Sequence, residues 1–351
     1  MKHGRAVAMF MIGALILGIA GPSQAQKALK IFMVPKFTGA AYFAATEKGA
    51  KEAVAELKGK GVAIDFLYTG PSVANTDEEI RMIDDLVAQK PDAIIISAND
   101  AEAMVPVAKK AKTAGIKVIT YDADVADPTA RQWFVNQGTF TLVGTALIDV
   151  VAEQAGPSAR FAIVSADPGA FNQNSWIAAM KARMQAKYPK MQMVDIRYGL
   201  DKPTESFSMA QDLINKFRGK LDAIIAPTSV ALPKVAEAVE QAGLTGKIVV
   251  TGLSTPNDMR EFVKKGTVKT VVLWNPVDLG YLAVYVAQAS LAGTLKDTAT
   301  QAKVPAGRLG TRDAVAELKD ITAKGPVTLR NVIVLGSPFR FTKENIDQFN
   351  F

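Results

Sequence analysis

Lysine, carboxylate, amide and aromatic residues gather in this sequence just behind short apolar runs. Lys36 and then Tyr42-Phe43 follow the run 29–34, Asn99-Asp100 follow 93–97, and Asp122 and Asp124 follow 118–121. Asn136-Gln137 close a fifth run, Asn172-Gln173-Asn174 come after 161–165, and Thr228-Ser229 after 223–226. Ser254-Thr255 come after 248–251, and Trp274-Asn275-Pro276 with Asp278 after 270–273. Carboxylates accept hydroxyl protons, lysine and amides donate, and an aromatic face can stack on the C–H face of a sugar. Such a set suits a small polyhydroxylated molecule. Each member also has a plainer reading: Lys36 solvated, Asp122 and Asp124 capping a turn, Phe43 in a core, Gln173 capping a helix, Trp274 packing. Convergence on one cleft separates the two readings.

Covalent and metal chemistry finds little to work with. Cysteine is absent and the single histidine is His3. Lys2 and Arg5 lead into the apolar stretch 6–20, and Gly21-Pro22 break it before Ser23-Gln24-Ala25. This is the pattern of a cleaved signal peptide over residues 1–25, too short for a membrane span and without a lipoprotein cysteine. The chain from Gln26 onward then has no histidine, which removes Ser/His/Asp catalysis, thiolate nucleophiles and Cys or His metal sites. An enzyme would have to run on a pair such as Lys36 with Asp122, and turnover by the purified protein separates it from a receptor. The first turn, residues 35–41, lacks the Gly-x-Gly-x-x-Gly of a dinucleotide site, and no Gly-Lys-Ser/Thr follows any run. Asp122-x-Asp124 is too short for a calcium loop. No cofactor and no metal are expected. The formal net charge of +7 falls to +5 once Lys2 and Arg5 are removed. Its carriers are scattered, without the basic run and interleaved aromatics that nucleic acid requires.

These residues need a scaffold, and the periodicity supplies one. With 351 residues, 49% apolar and 21% charged, the chain has room for two ordinary globular domains. Apolar runs at 29–34, 62–68, 93–97 and 118–121 alternate with helical patterns at 41–57, 77–90 and 103–114. The order restarts with runs at 161–165, 191–198, 223–226 and 248–251 and helices at 173–188, 205–217 and 232–242. Strands apolar on both faces with intervening helices predict parallel sheets built from βαβ units. Wording repeats too. Pro91-Asp92-Ala93-Ile94-Ile95 matches Leu221-Asp222-Ala223-Ile224-Ile225, and the Ala-Gly of 114–115 before 117–120 matches that of 242–243 before 247–251. The predicted fold class is α/β, two doubly wound parallel-sheet lobes. Ligands in open parallel sheets sit beyond the carboxyl ends of the strands, where the polar residues fall. Residues 296–351 read as an irregular tail packed over the lobes.

The signal pattern, the two lobes and the strand-end residues resemble type I periplasmic substrate-binding proteins of sugar ABC importers, in the branch of autoinducer-2 receptors and rhamnose-binding proteins. The resemblance is carried by Val34-Pro35-Lys36 with Tyr42-Phe43, Tyr121-Asp122-Ala123-Asp124, Val135-Asn136-Gln137-Gly138, Asn172-Gln173-Asn174, Ala226-Pro227-Thr228-Ser229, Ser254-Thr255-Pro256-Asn257-Asp258-Met259 and Lys343-Glu344-Asn345-Ile346-Asp347. It implies a receptor that closes over its ligand without turnover, with three hinge crossings near 136–137, near 275–278 and around 300. The first lobe would comprise 26–137 plus about 278–300, and the second 138–277 plus about 301–351. It implies ligand contacts from Lys36, Asp122, Gln173 and Pro227, with Asn172 where the branch has aspartate and Ser229 where it has alanine. The expected binding set is Lys36, Tyr42, Phe43, Asp122, Asp124, Asn172, Gln173, Pro227, Ser229, Trp274 and Asp278. The implied partners are a small polyhydroxylated ligand and a membrane permease, with the receptor a periplasmic monomer. The ligand-sensing half of a LacI-type repressor shares these lobes but would carry a basic helix-turn-helix in place of the signal pattern.

Overall fold

The computed structural model describes residue 1, residues 27–298 and residues 300–351. Apart from Met1, the expected signal peptide lies outside the described residues. Among the described residues no helix is long and apolar enough to cross a membrane.

The central runs, apolar at nearly every position, become strands buried on both faces, while the edge runs 64–68 and 192–198 stay partly exposed. In the first lobe β1 (Leu29–Val34), β2 (Ile64–Tyr68), β3 (Ala93–Ile96), β4 (Lys117–Tyr121) and β5 (Trp133–Asn136) lie parallel in the order β2-β1-β3-β4-β5. The helices α1 (Ala41–Gly59), α2 (Thr76–Ala88) and α3 (Val105–Thr113) connect the first four. The second lobe repeats the plan with β6 (Arg160–Ser165), β7 (Gln192–Tyr198), β8 (Ala223–Ala226) and β9 (Val249–Gly252), parallel in the order β7-β6-β8-β9. Around it run α4 (Phe140–Ala155), α5 (Phe171–Lys187), α6 (Pro203–Lys216), α7 (Ala231–Gln241) and α8 (Pro256–Lys265). The fold is α/β with two doubly wound parallel sheets. The sequence repeat has a physical counterpart: Asp92 accepts a 2.7 Å hydrogen bond from the Lys30 N–H, and Asp222 accepts one of 2.7 Å from the Arg160 N–H. Each aspartate ties the start of its own strand to the neighbouring one.

The chain passes between lobes at 137–139, after β5, and again after β10 (Val271–Leu273), where α9 (Pro276–Leu291) returns to pack on α1. That contact needs glycine on both helices. A Cβ on Gly49 would lie 1.7 Å from the Val277 carbonyl oxygen, and one on Gly280 would lie 2.0 Å from that of Thr46. The close approach seats the first turn of α1, with Tyr42 and Phe43, against the strand-to-helix turn at Trp274.

The third crossing differs from the expectation. Residues 301–334 do not join the second sheet, although Asp320 accepts from the Phe140 and Thr141 N–H groups at the start of α4. They form β11 (Gln301–Pro305), β12 (Thr311–Thr322) and β13 (Gly325–Val334), and β13 pairs in parallel with β5 on the first sheet. The alternating pattern of 311–334 makes a long hairpin that covers an otherwise open sheet edge. The chain leaves that sheet only at 335–338 and ends on the second lobe, where β14 (Phe339–Phe341) pairs antiparallel with β10.

Candidate functional site

Carboxyl ends of both sheets face one cleft, and the loops leaving them wall a cavity whose roughly 400 Å³ includes space open to solvent. From the first lobe come Lys36 and Phe37 behind β1, Tyr42 and Phe43 in the first turn of α1, and Asp122 behind β4. From the second come Asn172, Gln173 and Trp176 in the first turns of α5, Asp201 behind β7, Pro227, Thr228 and Ser229 behind β8, and Leu253 behind β9. Leu273 and Trp274 close it at the end of β10.

Asp122 stands at φ 60°, in the left-handed region that aspartate tolerates better than most residues. Its Oδ1 accepts from the Tyr42 hydroxyl at 2.9 Å and its Oδ2 from Ser97 Oγ at 2.8 Å. Trp274 Nε1 donates in turn to the Tyr42 hydroxyl at 2.9 Å, so a directed chain runs from the indole through the phenol to the carboxylate. Burial raises the Asp122 pKa, opposed by the positive charge of Lys36 and by the bonds from Ser97 and Tyr42. Burial, then the Asp122 charge, raises the Tyr42 phenol well above its ordinary value. The phenol therefore remains a donor.

Lys36 is 4% exposed, and no carboxylate lies within ion-pair distance of it among the described residues. Its influence on Asp122 is through space, and its ammonium donors remain unspent at the cavity wall. Gln173 is oriented by its surroundings: Oε1 accepts from Ala166 N–H at 2.9 Å and bonds Ser165 Oγ at 3.0 Å. A backbone N–H can only donate, so the amide nitrogen is the end left for another acceptor. Gln173 does not cap its helix; Ala170 holds the cap position, and Gln173 lies in the first turn. Asp201 accepts from Thr228 Oγ1. Burial raises its pKa, and the Lys36 charge and the Thr228 bond oppose that. The apolar wall is a run of rings in contact. Tyr42 meets Phe43 edge-on at 5.1 Å and Trp274 at 6.0 Å, and Trp274 lies 5.7 Å from Trp176.

Two expected members lie elsewhere. Asp124 is turned into the first lobe because the left-handed turn at Asp122 reverses the chain, with Tyr121 and Ala123 bridged antiparallel. There it binds Arg131 through two bonds of 2.7 and 2.6 Å and accepts from Thr120 Oγ1 at 2.6 Å. Asp278 lies in the first turn of α9, where it accepts from Asn275 Nδ2 at 3.0 Å and pairs with Arg308 at 2.9 Å. Six wall residues fall outside the expected binding set: Phe37, Trp176, Asp201, Thr228, Leu253 and Leu273. Trp176 follows Asn172 by four positions and so shares its helix face, a spacing visible in the sequence. Asp201 follows the run 191–198, and the same strand-end rule applied there points to it.

Behind the cavity, Glu79 is fully buried on α2. Its Oε2 accepts from the backbone N–H and the Nδ2 of Asn99 at 3.1 and 2.8 Å, and Oε1 has no partner. Asn99 also donates to the Lys36 carbonyl at 2.8 Å, so Glu79 braces the loop that carries Lys36. Burial pushes the Glu79 pKa up from 4.5 to about 8. The folded protein thus holds a proton that the unfolded chain has lost. The associated stability is complete below about pH 4.5 and is lost as the pH rises through about 8. Glu79→Gln keeps the acceptor and cannot ionise. In urea unfolding it should match the parent at pH 5 and exceed it at pH 9 by about 1.4 kcal/mol or more, a tenfold change in the ionisation equilibrium. An equal difference at both pH values would show that Glu79 does not titrate there.

A family model described as a periplasmic binding protein domain matches residues 31–295. A solute-binding protein of an ABC transporter from Clostridium phytofermentas, solved with bound L-rhamnose, is 29% identical, with 92% of this chain and 98% of that one covered and a TM-score of 0.81. LsrB from Clostridium saccharobutylicum in complex with AI-2 is 26% identical over 92% of this chain and 100% of that one, with a TM-score of 0.80. The D-xylose-binding periplasmic protein of Escherichia coli is 23% identical over 216 residues, 59% of this chain; the chain spans 63% of that protein's length. With a family match across both lobes and an inter-lobe cavity at the strand ends, the chain belongs to the periplasmic binding protein family.

Proposed function

We propose that this protein is the periplasmic receptor of an ABC importer for a small neutral polyhydroxylated ligand: a sugar such as rhamnose, a sugar alcohol, or an AI-2-like furanosyl compound. It holds the ligand by closing two lobes, performs no turnover, and delivers it to a membrane permease as a monomer. The observation that carries this reading is the complementary polar set across the cleft. The first lobe offers the Lys36 ammonium and the Asp122 carboxylate, the second the Gln173 amide nitrogen and Asn172, beside the rings of Tyr42, Trp176 and Trp274. Hydroxyl groups, being donors and acceptors at once, satisfy such a mixture better than any single charge. The names of the relatives, for rhamnose, AI-2 and xylose, all fit a compound of this kind. Asn172 and Ser229, where the autoinducer-2 branch has aspartate and alanine, favour the rhamnose-like side.

Several charge-assisted hydrogen bonds of about 1.5–3 kcal/mol each, with stacking, reach the roughly 8 kcal/mol of micromolar affinity. Calorimetry with L-rhamnose, D-xylose, D-ribose, AI-2 and neutral polyols of about four to six carbons should find binding at that level or tighter. Binding of amino acids or peptides with no response to any of these would end the reading. A ligand shifts an open–closed equilibrium only by its differential affinity, and these contacts form on both lobes only when they are closed. Small-angle scattering should therefore give a smaller radius of gyration at saturation. An unchanged radius would remove the hinge mechanism.

A further inference from the structure

We infer that the ligand extends beyond a single ring: a second hydroxylated unit, joined through a glycosidic oxygen, occupies a polar chamber that continues the cavity past Lys36 and Asp201. The inference rests on the sugar-receptor reading above and specifies its substrate class. The chamber, whose roughly 540 Å³ includes space open to solvent, borders the main cavity at Lys36 and Asp201, and the proposed ligand would run between those two side chains. Its walls come from both lobes: Asn75, Thr76 and Asn99 from the first, Asp167 and Lys202 from the second.

The wall chemistry is that of a carbohydrate site, with donors and acceptors intermixed and no dominant charge. Several of these groups retain bonding capacity. Asp167 uses Oδ1 for the Gly169 N–H at 2.7 Å, and its other oxygen has no partner among the described residues. Asn99 spends its amide nitrogen on Lys36 and Glu79, so its oxygen remains an acceptor. The Lys202 ammonium makes no ion pair or hydrogen bond among the described residues, and Asp201 gives only one oxygen to Thr228. A free monosaccharide in the main cavity would reach none of the outer groups. A linked unit would bond to both lobes and so add to the free energy of closure.

The test pairs L-rhamnose, D-xylose and D-ribose with O-linked disaccharides containing each, by calorimetry on the full chain. At least one disaccharide should bind about tenfold or more tightly than its monosaccharide. Asp167→Asn combined with Lys202→Ala should abolish that gain and leave monosaccharide affinity unchanged, and so should Ala74→Phe, which fills the chamber wall. If monosaccharides bind and every paired disaccharide binds more weakly, the inference is overturned while the receptor reading stands. A gain that survives both variants overturns it as well. No binding of any carbohydrate overturns the receptor reading and this inference together.

Discussion

Asp124→Asn should remove about 3–5 kcal/mol of stability while changing ligand affinity by no more than about twofold. Side-chain exposure is 4% for Asp124 and 1% for Arg131, and the two are joined by a pair of short parallel bonds. Asparagine preserves the shape but carries no charge. It leaves the guanidinium buried without its counter-ion, which is the costly half of breaking such a pair. The guanidinium cannot escape, because its Nη1 donates to the Asn331 carbonyl at 3.2 Å and its centre lies 5.6 Å from the Phe134 ring. The pair thus fastens β13 to the turn after β4, and its loss should loosen the hairpin that closes the first sheet. Urea unfolding with parallel calorimetry reads both quantities. Unchanged stability with a large loss of affinity would return Asp124 to the binding set.

That contrast shows which parts of the site the sequence made legible. Polar residues directly behind an apolar run can be placed with no structure, because strand direction and sheet parallelism fix where the run ends. Lys36, Tyr42, Phe43, Asp122, Asn172, Gln173, Pro227, Ser229 and Trp274 all reach the cavity by that logic or by family resemblance. The logic fails one or two residues further on. Whether Asp122 or Asp124 faces the cleft is decided by a positive φ at Asp122, and no composition or periodicity encodes that angle. Asp278 has the right neighbours, but its helix presents it to Arg308. Asp201 sits in a turn with two successive left-handed residues, Leu200 at 55° and Asp201 at 49°. The strand-end rule points to this turn, but the backbone angles that aim Asp201 into the cavity are not legible in the sequence. The tail was misassigned for a different reason. Residues 311–334 carry a local hairpin pattern, but which sheet edge they cover depends on where β5 is left open. That is a tertiary fact.

Asp122→Asn should have the opposite signature, a loss of about 2–4 kcal/mol of binding, roughly thirty- to a thousand-fold, with stability of the empty protein nearly unchanged. Asparagine tolerates the left-handed backbone, so the substitution does not disturb the turn. The hydrogen-bond chain then fixes which way the new amide points. The Tyr42 hydroxyl already accepts from Trp274, so its own proton must go to an acceptor, and Oδ1 has to stay opposite it. The new nitrogen therefore faces Ser97, whose hydroxyl can turn to accept. The Ser97 proton loses its acceptor, but a carboxylate whose ionisation burial disfavours has been removed. Those two effects hold the stability near its starting value. In the bound state the result is different, because a ligand hydroxyl that donated to the carboxylate now meets an N–H, and Lys36 loses the negative charge beside it. The same assignment sets a pH dependence. Parent affinity should fall on acidification at a higher pH than an ordinary aspartate would give, since burial raises this one, and the variant should lose that share of the dependence and keep the share Asp201 contributes. Melting temperature without ligand and affinity across pH, measured on one preparation of each protein, decide the matter. A lower melting temperature with unaltered affinity would make Asp122 a turn residue and leave the cavity without its anchor.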